Sequence, residues 1–168
     1  EAVEYFLKSD KEYTHLMMVD SDIILPKILE TDPLYIYSVL TNSKCQDVVL
    51  VWYPRKNEPS RTELFMQGYD SYSAAARWNC SELRQWPEDI IQIKGGGFGC
   101  AIISRKVLTH VTFPYFRYEL RDDNTYISED LYFCNKVHDL GYAIYTKKSL
   151  ACDHINKSIV RAITTSKG

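Results

Sequence analysis

The sequence predicts an α/β domain, with a mixed, mostly parallel central sheet flanked by helices. Three observations carry that expectation. Leu16-Met17-Met18-Val19 and Asp47 to Tyr53 (DVVLVWY) read as apolar runs, the pattern of strands covered on both faces, as in parallel sheets. Segments with helical spacing alternate with such runs. Two carboxylates, Asp20 and Asp22, leave the first run at its end, and open α/β sheets bind ligands just beyond the carboxyl ends of their strands.

In chain order, residues 1–9 read as the end of a helix, with Val3, Phe6 and Leu7 on one face by the i, i+3, i+4 rule. Ser9 to Glu12 is a polar break before the strand at 15–20. Side chains alternate along a strand, so Asp20 and Asp22 point to one side and Ser21 to the other. Ile23 to Pro26 leads into short helical turns. Asp32-Pro33 starts a helix whose face is Leu34, Tyr37 and Leu40, since Pro is favoured at the first helical position. The strand 47–53 is closed by Pro54.

Residues 55–88 are polar and turn-rich, with Tyr69, Tyr72, Trp78 and Trp86 scattered through them. They read as an insertion or lid within a single domain spanning residues 1–168. Their aromatics either stack on a sugar or pack the lid down. Ile90 to Ile93 is a third strand, and Cys100 to Ile103 a fourth. Between them, Gly95-Gly96-Gly97-Phe98-Gly99 opens into a strand with no Gly-Lys-Ser/Thr after it, so it is not a phosphate loop. Such glycines either admit a ligand to the backbone or mark a bulge or hairpin turn. Ser104 caps a short helix. Residues 112–127 form a loop rich in aromatics and charge. Ser128-Glu129-Asp130 opens the clearest helix, with Phe133, Val137 and Leu140 on one stripe and Gly141 as its stop. Tyr142 to Tyr145 is a final short strand, ahead of Ala151-Cys152-Asp153-His154 and a polar tail carrying Lys157 and Arg161.

The bulk properties narrow the function classes. The 168 residues are enough for one domain with a good core, at 45% hydrophobic and 25% charged residues. A net charge of −2 without a basic stripe gives no sign of a nucleic-acid binder. Five Cys, odd in number and without a C-x-x-C, read as buried reduced thiols of a reducing, cytoplasmic compartment. No apolar run reaches membrane-spanning length and no signal peptide is visible. The chain begins with Glu1, which suggests a fragment or a processed product.

Three features stand in order: Asp20 and Asp22 at a strand end, Glu129 and Asp130 at a helix start, and His154 after the last strand. Each has a bland explanation. Asp22 caps a helix, acids in a first helical turn complement its dipole, and a lone His is usually structural. Together they make a metal site plus a general base.

On these residues the chain resembles the nucleotide-sugar glycosyltransferases of the GT-A fold, and family 2 among them. Asp20-Ser21-Asp22 matches the DxD motif, and the resemblance rests also on Gly96-Gly97-Phe98-Gly99-Cys100-Ala101-Ile102-Ile103-Ser104-Arg105. Glu129-Asp130-Leu131 matches the ED motif, followed by Leu140-Gly141-Tyr142, and His154 stands where such enzymes often carry a further metal ligand. The family's N-terminal β-α-β region, which binds base and ribose, is absent from this sequence, so the chain corresponds to the C-terminal portion of the fold.

The resemblance implies metal-dependent transfer of a sugar from a nucleoside-diphosphate sugar to an acceptor hydroxyl, with inversion. It implies Mn²⁺ or Mg²⁺ held by Asp22 and His154, with Asp20 on the metal or the ribose. Asp130 would be the catalytic base and Glu129 its positioning partner, Gly96 and Gly97 would contribute to donor binding, and Lys157 and Arg161 would close over the diphosphate. The alternative is a non-catalytic module binding a glycan or a partner chain.

Overall fold

The computed structural model describes residues 1–32, 35–36, 39, 47–69, 72–122, 125–155 and 159–160. Its elements are, in order, α1 (Ala2–Lys8), β1 (His15–Val19), β2 (Ile23–Ile24), α2 (Lys27–Thr31), β3 (Val48–Leu50), β4 (Arg61–Phe65), a 3₁₀ turn (Ala74–Ala76), β5 (Arg77–Asn79) and α3 (Cys80–Gln85). There follow β6 (Ile90–Ile93), β7 (Gly95–Gly96), β8 (Cys100–Ser104), α4 (Arg105–His110), β9 (Glu119–Leu120), β10 (Tyr126–Ile127), α5 (Glu129–Asp139), β11 (Ile144–Lys147), β12 (Asp153–Ile155) and β13 (Ile159–Val160).

The central sheet has the order β1-β8-β3-β11-β6. Only β3 and β11 run parallel; the pairs β1/β8, β8/β3 and β11/β6 are antiparallel. The expected mostly parallel sheet is therefore corrected to a mixed sheet with one parallel pair, and the expectation of a partial GT-A fold falls with it. The first apolar run is not a central strand either: β1 lies at the edge of the sheet, with His15 to Met18 half-buried and Val19 exposed.

The apolar runs have a different cause. Val48, Leu50, Ala101, Ile103, Ile91, Ile93 and Ile144 share one core with Val3 and Phe6 of α1, Val107 and Leu108 of α4, and Phe133 and Val137 of α5. On the other parity, Val49 and Ile102 join Val39, and Val51 and Cys100 join Ile23, Tyr53 and Cys152. Successive side chains enter opposite faces, so a strand apolar at both parities reports two covered faces. It does not report which way its neighbour runs.

Local signals set the ends of the helices. The Ser104 hydroxyl accepts from the Val107 N–H at 3.2 Å, capping α4. At the end of α5, Gly141 has φ 78°, and the N–H groups of Gly141 and Tyr142 donate to His138 and Val137 carbonyls. That is a Schellman closure, and it is open to Gly because positive φ carries no Cβ clash. Leu140 leaves the expected stripe and is exposed, whereas Phe133 and Val137 are fully buried.

Three small sheets surround the central one: β2-β12-β13, β4 between β5 and β7, and the β9/β10 hairpin. The hairpin lies inside the expected loop 112–127, and the strand expected at Tyr142 to Tyr145 is β11, which begins at Ile144 and is followed by β12 and β13. Within 55–88, Leu64, Trp78, Cys80 and Leu83 are buried in the main core, while Trp86 is exposed and meets Trp78 edge-on. The expected helical positions Leu34, Tyr37 and Leu40, together with Cys45, Lys157 and Arg161, lie outside the described residues. Among the described residues, Cys80, Cys100, Cys134 and Cys152 are buried free thiols, and no helix is long and apolar enough to cross a membrane.

Candidate binding site

One cleft of about 220 Å³ collects residues from seven separate stretches of chain. It is lined by Asp20, Asp22 and Ile23 from the β1–β2 turn, Tyr53 beyond β3, Glu63, Phe65 and Arg77 from β4 and β5, Gly97 after β7, Ser128, Asp130 and Leu131 at the start of α5, and His154 on β12. The expected residues Asp20, Asp22, Gly97, Asp130 and His154 are thus brought together. Gly96 and Glu129 stand outside the lining.

Backbone pairing fixes the acidic turn. The Asp20 N–H donates to the Gly99 carbonyl at 2.9 Å, and the Ile23 N–H to the Asp20 carbonyl at 3.1 Å. The strand β2 pairs with β12 so that His154 opposes Ile23, and the Ile155 N–H donates to the Asp22 carbonyl. This register brings His154 Nε2 to 3.6 Å from Asp22 Oδ2. The other ring nitrogen, Nδ1, lies 3.0 Å from the Pro54 carbonyl oxygen. A carbonyl only accepts, so Nδ1 carries the proton of that bond. The ring meets Tyr53 edge-on with centroids 5.0 Å apart.

The charges divide into paired and unpaired groups. Asp22 is bound by the Lys56 ammonium, which holds its carboxyl below the ordinary carboxylate value. Glu63 lies between Arg55, 2.9 Å away, and Arg77, whose guanidinium also covers the Phe65 ring at 4.3 Å. Asp20 and Asp130 form no ion pair among the described residues. Burial, then the neighbouring Asp22, raises Asp20. Burial, then the nearby Glu129, Asp20 and Glu63 carboxylates, pushes Asp130 up to about 6, against the opposing effect of the Phe98 N–H that donates to its Oδ2 at 3.1 Å. Desolvation disfavours the charged form of an acid, and like charges nearby add to that. Near neutral pH, Asp130 therefore exchanges between a form that only accepts hydrogen bonds and one that also donates.

The glycines are explained by protein contacts. A Cβ on Gly97 would collide with the Tyr53 hydroxyl, and one on Gly96 would stand 2.6 Å from Leu64 Cδ2 and 2.9 Å from the Glu63 carbonyl oxygen. The glycine segment lets β7 lie against β4 and lets Tyr53 fill the floor of the cleft, with the Gly99 N–H donating to the Tyr53 hydroxyl oxygen at 3.2 Å. Glu129 stands outside the lining: its carboxylate raises the Tyr118 hydroxyl above its ordinary pKa, and its Oε2 is buried with no hydrogen-bond partner among the described residues.

Metal-dependent sugar transfer needs a metal centre built from several ligands. Among the described residues, no group of three or more His, Cys, Asp and Glu side chains is placed to hold a metal ion. Asp22 and His154 approach each other as a pair, Asp22 is engaged by Lys56, and Asp20 does not complete a triad. Together with the mixed, mainly antiparallel topology, this corrects the expected GT-A identity, the manganese-dependent DxD glycosyltransferase activity and the nucleotide-sugar donor with its acceptor hydroxyl.

Sequence reasoning missed Tyr53, Lys56, Glu63, Phe65 and Arg77. Tyr53 was within reach, because it ends an apolar run as Asp20 does. Glu63 and Arg77 carried no signal, since they face each other only through the β4/β5 pairing.

No protein-family model matches the chain, and no curated protein matches it. Among solved structures, the chain is similar to A197 from STIV, with a TM-score of 0.58 and 20% sequence identity over 92% of this chain and 64% of that one. The likeness is one of fold, and the chain spans about 64% of that protein's length.

Proposed function

We propose that this chain is a binding module for a polyhydroxylated ligand, a glycan, taken into the cleft between the β1–β2 turn and the start of α5. The observation that carries this is the pair of unpaired carboxyl groups, Asp20 and Asp130, in one concave site with His154 and Ser128. Sugar hydroxyls both donate and accept. Ionised carboxylates accept strongly, and a carboxyl titrating at about 6 does either. The Arg77–Glu63 and Lys56–Asp22 pairs hold the remaining charges in place, so the neutral ligand need not neutralise them.

Glu63, Phe65 and Arg77 come from residues 55–88, which supports treating that stretch as one wall of the cleft. A divalent cation, Mn²⁺ or Mg²⁺, entering the cleft would take Asp22 and His154 as side-chain ligands and would compete with Lys56. The buried free thiols among the described residues support the reading of a reducing, cytoplasmic compartment.

Isothermal calorimetry with a panel of mono- and oligosaccharides, in the presence and absence of Mn²⁺, tests the proposal. Binding heat with at least one glycan, lost in Asp20→Ala, is expected. No heat with any glycan overturns it.

A further inference from the structure

A second cavity of about 260 Å³ adjoins the cleft. It is lined by Tyr72, Ser73, Arg121, Thr125, Tyr126, Ile127 and Leu131. Leu131 lines both spaces, and Ile127 in one is followed by Ser128 in the other. Phe65 of the cleft meets Tyr72 of the second cavity edge-on, with centroids 5.1 Å apart. Each space is smaller than the roughly 300–1,000 Å³ of a pocket for a drug-sized ligand, so each suits one small unit.

Their chemistry differs. The cleft carries four carboxylates, Asp20, Asp22, Glu63 and Asp130. The second cavity has no carboxylate among its described lining residues, and it carries the Arg121 guanidinium with tyrosine, serine and threonine hydroxyls. It also opens onto an aromatic face. Tyr126 pairs across the β9/β10 ladder with Leu120, which places both on one side of the ribbon, and Tyr118 lies two residues before Leu120, just ahead of β9. These three side chains are 72%, 55% and 68% exposed, while Ile127 on the opposite parity is buried. The Glu129 carboxylate, in the first turn of α5 beside Asp130, raises the Tyr118 hydroxyl above its ordinary pKa.

We infer that the second cavity is a further sugar subsite, and that the ligand is a linear oligosaccharide running from the acidic cleft over Leu131 onto Tyr126. The inference rests on the glycan-binding proposal and deepens it. Sugar rings have an apolar C–H face and a hydroxyl rim. Tyrosine, large and rigid with a polar tip, matches both, and Arg121 supplies donors to the rim. Among the described lining residues of the cleft, the aromatics Tyr53 and Phe65 are buried, whereas Tyr126 of the second subsite is exposed and open to stacking.

Calorimetry of matched series tests this: N-acetylglucosamine against chitotriose, mannose against mannotriose, and glucose against cellotriose. In at least one series the trisaccharide should bind about tenfold or more tighter than the single sugar, well above the roughly threefold statistical gain from repeated units. Tyr126→Ala and, separately, Arg121→Met should each remove most of that gain and leave single-sugar affinity unchanged. Equal affinity for single sugar and trisaccharide, or a gain that survives both variants, overturns the second subsite while leaving the cleft as a sugar site. Absence of binding by every sugar overturns the subsite and the glycan proposal together.

Discussion

Asp130→Asn should stabilise the protein at alkaline pH and scarcely change it in acid. The Asp130 carboxyl titrates at about 6 in the folded chain, against an ordinary 3.8. The folded state therefore holds this proton more tightly than the unfolded state does. Stability associated with the group is fully present below the ordinary value and is lost as pH rises from about 3.8 to about 6. Each pH unit of that window corresponds to about 1.4 kcal/mol, which makes the burial of the ionised carboxylate cost about 3 kcal/mol at pH values above the window. Asparagine is uncharged throughout and still offers an oxygen to the Phe98 N–H, which donates to Asp130 Oδ2 at 3.1 Å. Urea denaturation of both proteins near pH 8 and near pH 4 measures the effect. The variant should be more stable by up to about 3 kcal/mol near pH 8, with that advantage shrinking to within about 1 kcal/mol near pH 4. An advantage independent of pH, or a variant less stable than its parent near pH 8, would refute the assignment of a buried, charge-crowded carboxyl at 130.

Lys56→Met should leave Asp22 without its ammonium and raise that carboxyl toward its ordinary range, visible in a carbon-detected NMR titration, while folding stability changes by no more than about 1 kcal/mol because the pair is partly exposed. Gly97→Ala drives a methyl group into the buried Tyr53 hydroxyl; overpacking of this kind should cost about 1–3 kcal/mol in chemical denaturation and weaken glycan binding through the displaced Tyr53. Gly141→Ala meets no neighbouring atom but must adopt φ 78°, so about 1 kcal/mol of stability should be lost with binding unchanged.

The sequence made the strands and helices readable more clearly than their pairing. Ile90 to Ile93, Cys100 to Ile103 and the α5 helix with its Gly141 stop lie close to where their residue patterns place them. Strand direction was not legible, because Val48-Val49-Leu50 is equally apolar whether its neighbours run parallel or antiparallel. It has one of each, β11 and β8. For the site, the acids at 20, 22 and 130 and the imidazole at 154 were visible as residue types. Their meeting depends on the β2/β12 register, which gathers His154 to Asp22. What the sequence did not reveal was their occupation: Lys56 on Asp22, and Arg55 with Arg77 on Glu63. Those cations sit in a stretch without periodic pattern, and they reach Asp22 and Glu63 only through the fold. The glycines also had two readings, and the close approach of Tyr53 and Leu64 accounts for Gly97 and Gly96 without a ligand.

The most direct test of the acidic cleft as a sugar site is an amide chemical-shift titration of the isotope-labelled chain with the tightest-binding glycan of the panel. Saturable shifts should concentrate at Asp20, Asp22, Gly97, Ser128, Asp130 and His154, which surround the cleft from different elements. Saturable shifts confined to other parts of the molecule, with those six amides unmoved, would contradict it.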